Sequence, residues 1–241
     1  MELFVEQLAE LCRTHVTRNK WVFVPSHAIG HTLGERIALD GTSWLNLRFV
    51  TPLDIALRMG APFLVERDID PSEEGLGPVL IMRLMLDLPK EGGYFRPLAD
   101  QPTLAEALWS TVRELRMAGI KSGQLRVDAF ESRTKYSELR ALLRAYEHFL
   151  FRNHRADLAL VYEEAPEHPD WCPIHDQDCW TELPDVVWSP LQRRLMDAMP
   201  GERIVPKAAA IEGGSVPRRL SQAKTLRVVA ELPISAGWRC G

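Results

Sequence analysis

His168, Cys172, His175 and Cys179 place four metal-capable side chains within one short stretch. Thiolates and imidazoles at short spacing suit a tetrahedral zinc ion. Structural zinc sites, however, pair two ligands and then cross a long gap to a second pair. Here the four are crowded together and broken by Pro169 and Pro173. The plainer reading is a loop pinned by Trp171 and Trp180, with no bound metal and no cofactor.

Two other chemistries can be looked for by spacing. A phosphate-cradling loop needs G-x-x-x-x-G-K-[ST], so that backbone N–H groups and a lysine meet the phosphates. At the first strand-to-helix junction the sequence is Val24-Pro25-Ser26-His27-Ala28-Ile29-Gly30. Gly30 and Gly34 are present, but Glu35 follows where a lysine is required, and Lys121-Ser122 and Lys224-Thr225 lack the preceding glycine. ATP binding by such a loop is therefore not expected, and the two glycines read as places where a helix packs close to a sheet. A nuclease of the PD-(D/E)xK type gathers carboxylates around a metal and sets a lysine beside the scissile phosphate. Pro169-Asp170 and Pro184-Asp185 supply only the first half, and no Asp-x-Lys or Glu-x-Lys follows. The remaining histidines, His15, His27, His31, His148 and His154, are scattered, and no G-x-S-x-G nucleophile motif occurs. No catalytic residue is assigned.

Arg113, Arg116, Arg126, Arg133, Lys135, Arg140 and Arg144 run along the middle of the chain, with acidic residues between them. The bland reading is a solvated mixed-charge face, and the functional one is a stripe that contacts phosphates. Arg113, Arg116, Arg140 and Arg144 are the candidate DNA contacts. Arg218, Arg219, Lys224 and Arg227 form a second, similar group.

The elements that must position these residues follow from periodicity. Phe4, Leu8, Leu11 and Cys12 mark a helix face, and Trp21 to Val24 is an apolar run of buried-strand type. Ser26 caps a helix with Ile29, Leu33 and Ile37 on one face. A second strand is expected within Leu45–Val50. Thr51-Pro52-Leu53-Asp54 then combines an N-cap, a proline at the first helical position and an acid that reaches back. Helix, strand, helix, strand, helix is the order of an open α/β sheet. Residues 52–165 hold no good buried strand and read as a helical insertion. Its helices lie at 78–88, after a Thr103–Glu106 capping box, and at 136–151, and Gly119 ends the second one. Residues 166–184 read as a proline-rich connecting loop. Val186-Val187-Trp188 is expected to return as a strand, and Ser189-Pro190 to start a helix. The α/β core is thus expected at 1–51 and 185–241, with Glu212–Ser215 a linker and 226–232 a last strand.

Bulk properties limit the classes. The chain has 241 residues, a net charge of −4, 46% hydrophobic and 26% charged residues. That is an ordinary globular mix, too acidic overall for a protein coated in basic residues for nucleic acid. No apolar run approaches the ~20 residues that span a bilayer. Cys12, Cys172, Cys179 and Cys240 are few and irregularly spaced, as free thiols of a cytoplasmic protein would be. The amino terminus lacks the pattern of a secretory signal.

Several segments, in order, resemble one family. Trp21-Val22-Phe23-Val24-Pro25-Ser26 is similar to a strand ending in Val-Pro before a helix. Leu47-Arg48-Phe49-Val50-Thr51-Pro52-Leu53-Asp54 is similar to the second strand and following helix. Leu115–Ile120, Ala156–Leu160 and Trp188–Gln192 match later landmarks. Together these resemble, over about residues 20 to 200, the amino-terminal helicase-like region of the AddB-type chain of bacterial ATP-dependent helicase/deoxyribonucleases, a PD-(D/E)XK nuclease family. The resemblance implies a degenerate superfamily 1, P-loop-type core with a helical insertion, truncated before the nuclease domain. It implies a non-catalytic module of DNA double-strand-break repair and recombination, with an ATP-driven helicase/nuclease partner subunit and weak DNA contact. The alternative is a stand-alone structural or interaction protein that has lost the DNA-processing role.

Overall fold

A computed structural model describes residues 2–88 and 93–206. The chain runs through α1 (Glu2–Thr14), β1 (Lys20–Phe23), α2 (His27–Leu39), β2 (Leu47–Val50) and α3 (Pro52–Glu66). It continues through α4 (Pro78–Leu86), α5 (Pro102–Met117) and α6 (Arg133–Arg152). It then passes α7 (Leu158–Glu164), β3 (Cys179–Glu182), α8 (Pro190–Asp197) and β4 (Glu202–Arg203). Two compact units result. One comprises the residues up to Pro71 and those resuming at Leu158, and the other runs from Ser72 to Asp157.

The first unit is α/β. Among the described residues its four strands lie in the order β2-β1-β3-β4, and every pairing is parallel. Alternation along the strands divides their side chains between two faces. Val22, Val24 and Cys179 join Phe4, Leu8, Leu33 and Ile37 of α1 and α2 in one apolar cluster. Trp21, Phe23 and Trp180 fall on the opposite face, where Phe23 and Trp180 meet edge to face at 5.6 Å. The helices with apolar sides left to cover that face are α3, α7 and α8, which pack on one another. Gly30 lets α2 come close to the sheet: a Cβ there would lie 2.7 Å from Phe49 Cβ. Gly34 meets only ordinary contact. Gly60 does for α3 and α7 what Gly30 does for α2, since its Cβ would sit 3.0 Å from the Val161 carbonyl oxygen.

Lys20 opens β1 and is fully buried. Its amino group donates to the carbonyl oxygens of His15 (2.5 Å) and Arg18 (2.7 Å), just past α1. A cation at the carboxyl end of a helix also offsets the helix dipole. The sequence pattern shows Lys20 only as the end of an apolar helix face, because its partners are carbonyls and carry no side-chain signature.

The second unit is helical. Leu80, Ile81 and Met85 of α4, Leu108, Val112 and Leu115 of α5, and Leu139, Leu143, Tyr146 and Leu150 of α6 form its core. Gly119, at φ +74°, ends α5, with Ile120 N–H bonded back to the Leu115 carbonyl. That is the glycine C-cap geometry expected from sequence.

Four sequence expectations need correcting. Val186–Val187–Trp188 is not a strand, and Val187 is 90% exposed. The returning strand is Cys179–Glu182, inside the stretch expected to be a loop. Thr103 is not an N-cap: α5 starts at Pro102 after Gln101, with no side-chain cap. Finally, α3 and α7 belong to the α/β unit, so the helical unit is 72–157 rather than 52–165. The linker at 212–215, the strand at 226–232 and Arg218, Arg219, Lys224 and Arg227 lie outside the described residues.

Candidate functional site

In an open parallel sheet, ligands bind beyond the carboxyl ends of the strands, where the chain winds one way and then the other. Here β1 leads through α2 to β2 on one side, and the chain later returns to β3 on the other. The switch point therefore lies between β1 and β3. The Val24-Pro25-Ser26-His27 turn leaves β1 there, and Glu182 ends β3 beside it, in register with Phe23.

Local sequence builds this edge. The helix starts of α2, α3 and α8 all fall at it, because each follows the end of a strand. Ser26 Oγ accepts the Ile29 N–H at 3.4 Å. Thr51 and Asp54 cap α3 reciprocally, Asp54 accepting the Thr51 N–H at 2.7 Å. Ser189 and Gln192 repeat the device at α8. His27 Nε2 lies 3.3 Å from Asp54 Oδ1, joining the starts of α2 and α3, and His27 is 66% exposed. Tyr162 is buried nearby, and burial pushes its hydroxyl up to about 12 despite the opposing hydrogen bond with Gln192.

Glu182 dominates the electrostatics of the edge. Its carboxylate accepts Arg193 through two bonds of 3.0 and 2.6 Å, and Trp188 Nε1 at 2.7 Å. Arg203 of β4 donates to it as well. Burial alone would raise this carboxyl, but the bonds from Arg193 and Arg203 outweigh burial and hold it below the usual range. Arg193 and Arg203 also both approach Asp197, at 3.8 and 3.4 Å. This is a charge-balanced clamp that ties β3 to α8 and β4. It is built for holding strands together, and both guanidinium groups are engaged. Nothing in the sequence beyond the residue types announces it, since Glu182, Arg193 and Arg203 come from three elements.

The four crowded donors are dispersed by the fold. His168 stacks on Phe63, with ring centroids 3.3 Å apart, and its Nε2 meets Glu164 at 2.9 Å. Cys172 is buried with its sulfur 3.6 Å from Met199 Sδ. Cys179 sits in β3, facing the Asn19 carbonyl. His175 lies in the turn before β3, exposed. Among the described residues, no group of three or more His, Cys, Asp or Glu side chains could hold a metal ion. Cys12, Cys172 and Cys179 are buried free thiols. Burial pushes all three up, away from the thiolate form that reacts.

The candidate DNA contacts divide. Arg116 is buried and makes a two-pronged pair with Asp157, at 2.8 and 3.2 Å, with both side chains 7% exposed. It holds the end of α5 and cannot reach a phosphate. Arg113 and Arg140 are exposed but lie over rings of their own helices, Trp109 at 5.7 Å and Tyr136 at 6.0 Å. Arg144 is exposed on α6. No protein-family model matches the chain, and no curated protein matches it. Among the described residues, no helix is long and apolar enough to cross a membrane.

Proposed function

We propose that this chain is a non-catalytic, helicase-like module of a helicase–nuclease engaged in DNA double-strand-break repair and recombination. It works by contact within a cytoplasmic assembly, beside an ATP-driven partner subunit. The finer fold assignment, a degenerate superfamily 1, P-loop-type core, is part of this proposal. The observation that carries it is the β1–α2 turn. It occupies the switch point where a doubly wound sheet would receive phosphates. Yet Ser26 spends its hydroxyl on the helix start, and no lysine follows Gly34. The position is kept and the chemistry is missing. Two further features support the reading. The resembling segments fall at β1 and its turn, the β2–α3 junction, the end of α5, the start of α7 and the start of α8. A helical unit also interrupts the chain between α3 and α7.

The burial of Arg116 and the ring contacts of Arg113 and Arg140 favour the second reading, an interaction protein without a DNA role. Two measurements separate them. Purified chain is expected to show no DNA-stimulated ATP hydrolysis, and sustained turnover in a clean preparation would overturn the non-catalytic assignment. Co-purification at natural expression is expected to recover a helicase or nuclease subunit. Its absence, with normal survival of a deletion strain after DNA damage, would leave the interaction protein.

A further inference from the structure

Helix α6 turns to solvent a row made of Arg133, Ser137, Arg140, Arg144, His148 and Phe151, all exposed. They recur every three or four residues, so they line up along one side of the helix. At the rise of an α-helix the row is about 27 Å long. The chain as a whole is acidic, at −4, so a face of this sign is segregated rather than average. Among the described residues, no exposed side chain of α6 is acidic. The helix does carry two carboxylates, but both are partly buried and engaged elsewhere. Glu138 accepts the N–H groups of Tyr94 and Phe95 at 2.8 and 2.6 Å. Glu147 accepts the Ser122 N–H and hydroxyl at 2.8 and 2.6 Å. Other exposed arginines have carboxylates at hand, Arg13 with Glu10 and Arg126 with Asp128. Among the described residues, Arg133, Arg140 and Arg144 have no ion-pair partner. Phe151, one heptad beyond Arg144, is 83% exposed.

We infer that this face docks an acidic helical segment of a partner protein. Arg133, Arg140, Arg144 and Phe151 are spaced by a heptad, one turn and a heptad. A helix lying alongside repeats at the same spacing, so its carboxylates meet the arginines and an apolar side chain covers Phe151. Arginine suits this pairing because its planar fork takes a carboxylate through two bonds. Other occupants fit less well. A second copy docking through the same face would set arginine against arginine. The residues after Pro206 hold more arginine and lysine than glutamate, so they carry the wrong sign. A duplex backbone winds away from a straight row. A single strand can follow one, but its bases need aromatic platforms along the path, and here the exposed phenyl ring stands at one end. The inference does not depend on the helicase-like reading, since any partner with such a segment would serve.

The test is fluorescence anisotropy with the full chain and a labelled helical peptide as long as α6, with glutamate and leucine at heptad spacing. The same peptide with glutamine for glutamate and a labelled oligothymidylate serve beside it. The acidic peptide is expected to bind with an affinity that falls as salt rises, and the glutamine peptide and the oligonucleotide to bind far more weakly. R140E/R144E should weaken binding about tenfold, the scale of losing two charged contacts. It should in turn prefer a peptide with lysine for glutamate. Both arginines are exposed, so the fold should survive, as circular dichroism would show. R58E/R194E makes the same charge change on exposed positions of α3 and α8 and should leave binding unaltered. Equal losses in the two double variants, or no binding of the acidic peptide, would each overturn the inference. Tighter binding of oligothymidylate than of the acidic peptide, lost in R140E/R144E, would overturn it in favour of a nucleic-acid surface.

Discussion

The two units satisfy the free N–H groups of their backbone in different ways. In the α/β unit, the starts of α2, α3 and α8 are capped from within three residues, by Ser26, by Thr51 with Asp54, and by Ser189 with Gln192. In the helical unit, α4 and α5 have no side-chain cap and begin with proline. There the N–H groups of Tyr94, Phe95 and Arg96 are gathered by Glu138 of α6, forty-odd residues away. Glu147 serves Ser122 in the same manner, accepting both its N–H and its hydroxyl. Of its three α-helices among the described residues, α6 alone starts on a local cap of the familiar kind, Ser132. Local caps stabilise a helix before it packs. Carboxylates brought from another helix stabilise only the packed unit, so the helical unit should lose its structure more cooperatively when one is removed.

The comparison can be broken most forcefully at Arg116 and Asp157. Removing one partner of a buried pair leaves an unpaired charge, so Arg116→Ala should destabilise by roughly 3–5 kcal/mol. Arg116→Met with Asp157→Leu should recover much of that loss, because the pair is costly to desolvate in the first place. Urea unfolding of both variants gives the answer, and an Arg116→Ala loss under about 1 kcal/mol would show the pair to be dispensable. Next in size, Glu138→Ala should cost about 1–3 kcal/mol for N–H groups left unsatisfied. Ser26→Ala should cost only about 1 kcal/mol. If Ser26→Ala proved the more damaging, the distinction between local and long-range capping would fail. Gly30→Ala should destabilise by about 1–3 kcal/mol through the clash with Phe49. Gly34→Ala should be neutral or stabilising by up to about 1 kcal/mol, since alanine is the better helix former and has room.

The smallest expected effect is a pH dependence in the α/β unit. Glu182, Asp178 and Glu164 are each raised by burial and lowered further by their hydrogen bonds, so all three sit below ordinary carboxylates when folded. A folded pKa below the unfolded one adds stability above about pH 4.5, and that stability is lost as pH falls through the folded value. Glu182→Gln should therefore flatten part of the acid limb of a stability–pH curve. An unchanged limb in the variant would assign acid sensitivity to other groups.

The same contrast explains what could be read from sequence. Strands β1 and β2 and helices α2, α3 and α8 announce themselves by apolar runs and by caps three residues apart. Strand β3 escapes, because Thr181 and Glu182 are polar yet buried, and the arginines that make this tolerable come from α8 and β4. The more apolar Val186–Trp188 attracts the strand reading instead. Thr103 fits the capping pattern by spacing alone, but Pro102 has already started the helix. Arg116 belongs to a visible stripe of arginines, and only Asp157, forty-one residues on, turns it inward. Of the candidate edge, Ser26, Thr51, Asp54 and Ser189 are legible as caps, whereas the Glu182 clamp is not.

The placement of the helical unit has a consequence for how the chain reaches its final form. Strand β1 pairs with β3, so Lys20 must find Cys179 and Phe23 must find Glu182 across the whole of residues 72–157. A nascent chain holds β1 and β2 long before β3 exists, and two strands alone make only a marginal sheet. Among the described residues the helical unit is one stretch of sequence, so these helices can condense during synthesis while the sheet waits, its centre still an open edge. Pairings that close so large a loop are slow, which makes joining β3 to β1 the natural rate-limiting event. Until then β1 offers an unpaired edge to any other extended segment nearby, and the interval between the synthesis of β2 and of β3 is when this chain is most open to misassociation.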